Sequence, residues 1–91
     1  MSDFEFLILS LRADAEMQLG VLSQGEEKHE ANLSLARKLI DVLAMLQPKT
    51  KGNLSFEEQR LLDNTVTELR FRYLQTYEAD RKKAAETGSN G

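Results

Sequence analysis

The chain contains no cysteine and no tryptophan. The first absence excludes disulfides and every zinc site built on thiolates. Proline occurs once, at Pro48, and histidine once, at His29. A single proline leaves long stretches free to be helical, because proline is the main breaker of that ladder. The few glycines fall between periodic segments or in the C-terminal tail. Long apolar runs are also missing. The longest, FLILSL at residues 6–11, is far short of the roughly 20 residues a bilayer-spanning helix needs. No basic stretch precedes it, so it does not read as a secretory signal. A cytoplasmic protein without membrane contact is expected.

What remains is a helix-forming composition. Leu, Glu, Ala, Arg and Lys are common and β-branched residues are scarce, which favours helix over strand. Ninety-one residues make one domain. A chain of this size buries roughly 60–65% of the surface its unfolded form exposes, and association often makes up the shortfall. The net charge of −3 is too mild to name a partner. Up to Ala31 the chain is acidic, and the stretch holding Arg37, Lys38, Lys49 and Lys51 is basic. Such a split can guide docking between segments or subunits.

The spacing predicts three helices, over about 3–22, 33–47 and 55–80, giving an all-α, three-helix bundle-like domain expected to be dimeric. The domain is expected over 1–80, with a frayed helix end and disordered tail over 81–91. Ser2 and Glu5 fit a capping box at the first start, Asn32 an N-cap at the second, and Ser55 with Glu58 a capping box at the third. On helix 1, Phe4, Leu7, Ile8, Leu11, Ala15, Leu19 and Leu22 form one stripe. Phe6, Leu9, Ala13, Met17 and Gly20 form another on the opposite side. A helix apolar on both sides must be covered on both. Helix 2 presents Leu35, Ala36, Leu39, Ile40, Val42, Leu43 and Leu46, with Arg37, Lys38 and Asp41 on its wet face; Pro48 is expected to end it at Gln47. Helix 3 carries Leu62, Val66, Leu69, Tyr73 and Tyr77, while Phe71 and Leu74 fall on another side.

Candidate chemistry is sparse. The stretch PKTKGNLSFEE at 48–58 invites comparison with a phosphate-binding loop. That motif needs two glycines, a lysine after the second and a preceding strand; here the lysines precede the one glycine and a helix precedes the loop. A backbone nest for an anion at Lys49, Lys51, Gly52 and Asn53 is the weaker alternative. It competes with Ser55 as cap and with Glu57 and Glu58, whose charges satisfy the helix dipole and repel phosphate. The simpler reading is a turn, with Gly52 or Asn53 left-handed. His29 sits among Glu26, Glu27 and Glu30, but one histidine in an acidic connection is more often solvated than metal-bound. Asp14 and Glu16 point to different sides of helix 1 and form no acid–base pair. No Ser or Thr lies in a recognisable nucleophile motif. Arg70, Arg72, Arg81, Lys82 and Lys83 are interleaved with Glu68, Glu78, Asp80 and Glu86, which reads as a mixed solvated face more readily than as a nucleic-acid stripe.

Specific residues carry a resemblance. Leu19-Gly20, Asn32-Leu33, Ala36, Ile40-Asp41, Leu43 and Leu46 lead into KTKGNLS at Lys49–Ser55. Glu57-Glu58, Leu62, Leu69-Arg70 and Tyr73 follow. Over about residues 4–77 the chain resembles the bacterial family catalogued as domain of unknown function 1844, small helical proteins with no assigned activity. Pro48 departs from the polar residue expected before the KTKGNLS run. The resemblance implies the helical fold and adds no catalytic residue. The expectation is therefore a non-enzymatic helical module, with no cofactor and no metal, that associates with itself as a homodimer. Its candidate face comprises Phe6, Leu9, Ala13, Met17, Gly20, Phe71 and Leu74. An adaptor binding a different protein through apolar helix faces is the alternative. Nucleic-acid or anion binding through the Lys-rich loop and helix 3 is the third reading.

Overall fold

The computed structural model describes residues 1–20 and 31–88. Among these residues three helices make the fold: α1 at Asp3–Gln18, α2 at Leu33–Lys49 and α3 at Phe56–Gly88. Among the described residues there is no strand. Each helix starts where local chemistry dictates. Ser2 and Glu5 exchange both bonds of a capping box, and Asn32 accepts the amide of Leu35. Ser55 and Glu58 repeat the capping box at the start of α3. These caps satisfy amides that a helix start otherwise leaves without partners.

The helix ends differ from expectation. α1 stops at Gln18 rather than near Leu22. Gly20 has φ +79° and donates its amide to the Met17 carbonyl at 3.0 Å, a left-handed termination that a side chain would strain. Gly20 therefore closes the helix instead of lining a face of it. α2 passes through Pro48 to Lys49. In the last turn a proline forfeits only its own amide, and the ladder resumes with Thr50 N–H donating to the Leu46 carbonyl at 3.0 Å. α3 runs to Gly88 instead of ending near residue 80. The far end of the expected tail, residues 89–91, lies outside the described residues, as does the connection at 21–30 with His29.

Two contacts set the arrangement of α1 and α3. The Ser2 hydroxyl donates to Glu58 Oε2 at 2.7 Å, and Arg12 Nη2 donates to Glu68 Oε2 at 3.0 Å. Both pairs are separated by 56 residues, so α1 and α3 run parallel in one register. α2 runs antiparallel to both. Its end meets the start of α3 where Gln47 donates to Asp63, and its start meets the end of α1 where the Asn32 amide donates to the Gln18 carbonyl. Gln18 is level with Leu74 in this register. α3 therefore leaves the bundle near residue 75 and continues as an arm to Gly88 without α1 or α2 beside it. At 1.5 Å per residue its 33 residues span about 50 Å, close to the 54 Å long dimension of the molecule.

The core is one contiguous cluster. α1 contributes Ile8 and Ala15 and its C-cap Leu19, α2 contributes Ala36, Ile40 and Leu43, and α3 contributes Leu62, Val66 and Leu69. Phe4, Leu11, Leu39, Leu46 and Tyr73 pack at its edges. Three residues expected on core stripes are substantially exposed: Leu7, Leu35 and Tyr77. Leu7 and Leu35 sit on the flanks of their helices, and Tyr77 lies on the arm beyond the reach of α1 and α2.

Thr65 is fully buried on α3, and its hydroxyl has no hydrogen-bond partner. An unsatisfied hydroxyl in an apolar interior opposes folding. Thr65→Val keeps the shape and removes the polar atom. It is expected to raise stability by about 1 kcal/mol in urea unfolding; an equal loss would mean that the hydroxyl has a partner.

Candidate interaction surfaces

The outer side of α1 is unusual in what it leaves wet. Phe6 is 65% exposed, Leu9 37% and Met17 46%, and Ala13 between them is also exposed. Spacings of three and four place these side chains on one face over three turns. The core side of the same helix, through Ile8, Ala15 and Leu19, points the other way. Both apolar stripes read from the sequence therefore exist, and the chain covers one of them itself. The flank of α1 beside α3 is polar: Arg12 lies 3.7 Å from Glu16 and 3.0 Å from Glu68.

The seven residues grouped as one candidate face do not form one. Gly20 is spent on the helix end. Leu74 lines a shallow groove between α2 and α3 with Arg37, Ile40, Asp41, Arg70 and Tyr73. That is the α2 side of α3, whereas Glu68 marks the α1 side. Phe71, 63% exposed, and Leu74, 56% exposed, thus belong to a second patch, separate from Phe6, Leu9, Ala13 and Met17. Sequence periodicity places residues on sides of one helix; it does not say how two helices are rotated against each other.

The Lys-rich loop is a compact turn. Asn53 N–H donates to the Thr50 carbonyl at 2.9 Å, and Gly52 at φ +83° supplies the left-handed position such a turn requires. Lys49, Lys51, Gly52 and Asn53 are all exposed. At the adjoining start of α3 the Ser55 amide donates to the Glu58 carboxylate and the Glu58 amide to the Ser55 hydroxyl. Among the described residues no group of three or more His, Asp or Glu is placed to hold a metal, and no helix is long and apolar enough to cross a membrane.

Glu58 is the polar hub that the sequence does not disclose. Its Oε1 accepts the Ser55 amide at 2.8 Å and its Oε2 accepts the Ser2 hydroxyl at 2.7 Å. The same Ser2 oxygen accepts the Glu5 amide at 3.1 Å. Two parallel helix starts are thereby joined through their caps. The Ser2 hydroxyl and then the Ser55 amide hold the Glu58 carboxyl below its ordinary 4.5, against a smaller opposing effect of desolvation. A carboxyl depressed by folding stabilises above its unfolded value, and that contribution fades as pH falls through the folded value. Glu58→Gln is therefore expected to melt below wild type at pH 7. The gap should narrow at acid pH, as the wild-type carboxyl takes up its proton at a pH below its ordinary 4.5. Melting curves with the same gap at neutral and at acid pH would remove Glu58 as the source.

A family model described as Domain of unknown function (DUF1844) matches residues 1–75. The match ends where α3 leaves the bundle. Comparison with curated proteins returns no match, and neither does comparison with solved structures.

Proposed function

Because the chain belongs to the DUF1844 family, whose description assigns no activity, we propose its function from its surfaces: a non-enzymatic helical module that associates with itself as a homodimer. The observation that carries this reading is the unbroken apolar strip of Phe6, Leu9, Ala13 and Met17 along the outer side of α1. Four such groups side by side form a patch of roughly a few hundred Å², which soluble monomers seldom keep without a use. The small Ala13 at the middle lets another helix approach closely. A two-fold axis across the strip covers both copies with one self-complementary surface.

Sedimentation tests the reading. At about 10 µM, a dimer with micromolar affinity, worth roughly 8 kcal/mol, is mostly assembled. The wild type is expected at twice the chain mass. Leu9→Glu with Met17→Glu is expected at the chain mass with its helix content unchanged, since both residues lie outside the core. A monomeric wild type overturns self-association and leaves the adaptor reading, in which a different protein covers the strip.

A further inference from the structure

We propose that the outward face of α3 docks on the same face of a second copy, antiparallel, with the two-fold axis passing between Phe71 and Leu74. The proposal rests on the reading that the chain self-associates. It goes beyond that reading by placing a second, separate contact on α3.

The geometry of α3 points there. Asn64, Thr67, Phe71, Leu74, Glu78, Arg81 and Ala85 recur at alternating spacings of three and four, so they lie along one face. Every one of them is exposed. The large apolar pair, Phe71 and Leu74, sits at the middle of the 33-residue helix. Antiparallel pairing about that point overlaps the two helices from end to end. Residues 75–88 of each copy then run beside residues 57–70 of the other. The arm, which neither α1 nor α2 accompanies, gains a neighbouring helix along its length.

The side chains suit that register. Phe71 meets the partner's Leu74, twice by symmetry. Glu78 comes level with the partner's Thr67, and Ala85 with the partner's Arg60. Arg81 comes level with the partner's Asn64 and beside the partner's Asp63, an opposite charge on the same flank. Here α3 carries a shallow groove lined by Phe56, Gln59, Arg60, Asp63 and Asn64, and the partner's small Ala85 presents little bulk to it. Where the arm begins, Tyr73 stacks on Tyr77 with ring centres 6.2 Å apart, and Arg81 lies 5.9 Å from the Tyr77 ring centre. With only two large apolar side chains at its centre, this contact is weaker than that of α1. It joins α1-paired dimers into larger assemblies as concentration rises, because two different isologous surfaces on one chain do not stop at a pair.

The absence of native cysteine makes the test direct. Thr67→Cys and Glu78→Cys are introduced together into the full chain. Eleven residues apart on one helix, they are separated by about 16 Å and cannot form a disulfide within a chain, which needs Cα atoms within about 7 Å. Across the proposed axis they face each other. Mild oxidation at about 100 µM, above a micromolar dissociation constant, is expected to give a covalent dimer from the double variant and not from either single variant. Adding Leu74→Glu is expected to lower the yield about tenfold, a difference of about 1.4 kcal/mol. Singles that link as readily as the double would overturn the antiparallel register. No covalent product from a chain that still sediments as a dimer would also overturn the proposal while leaving self-association through α1 in place. No product from a chain that sediments as a monomer would overturn both.

Discussion

Leu43→Ala is expected to cost the fold about 2–5 kcal/mol, the range for emptying a large side chain from a packed interior. Leu43 is fully buried at the centre of α2, in one cluster with residues of α1 and α3. The lost transfer energy is joined by a cavity that three helices cannot all close at once. The natural control is Lys38→Ala on the same helix, exposed and without a role in the core. It is expected to move stability by less than about 0.5 kcal/mol. Urea unfolding of both variants measures the difference. Equal midpoints would mean that α2 faces the other way.

Ala36→Leu is expected to destabilise by about 1–3 kcal/mol, even though it adds apolar surface. Ala36 and Ala15 are both fully buried. The bond from the Asn32 amide to the Gln18 carbonyl, 2.6 Å long, fixes the antiparallel register of α1 and α2. In that register the two alanines fall within one residue of the same level. Small side chains facing at one level let the helix axes come close, and a leucine there must push them apart. Hydrophobicity alone forecasts a gain, so the sign of the change separates the two effects. A stabilised Ala36→Leu would show room between the helices.

Helix starts were legible because each depends on residues within one turn. Ser2 with Glu5, Asn32, and Ser55 with Glu58 carry their chemistry locally, and all three caps form as their spacing predicts. Helix ends were less legible. Gly20 closes α1 because its backbone turns left-handed, while Pro48 fails to close α2 because the ladder resumes beyond it. The length of α3 was hidden because its last turns carry no apolar stripe to extrapolate; spacings such as Glu78 to Lys82 favour helix without burying anything. Tertiary facts could not be read from one chain position at a time. The Ser2–Glu58 bond joins residues 56 apart, and nothing at either position announces the other. Likewise, the division of the candidate face into an α1 strip and an α3 patch depends on how the helices are rotated in the bundle. The outward apolar strip itself was visible, since two opposed stripes on one helix are a periodicity.

The single register shared by α1 and α3 also bears on how the chain finds its fold. The turn between α2 and α3 is short, so closing that hairpin loses little chain entropy and can come early. α1 must instead arrive across a far larger separation in sequence and slot in parallel to α3. Its two polar fasteners, Ser2 on Glu58 and Arg12 on Glu68, form only once it has arrived. α1 is then a strap laid over a preformed hairpin. Local opening that lifts it would bare the nonpolar interior of the hairpin.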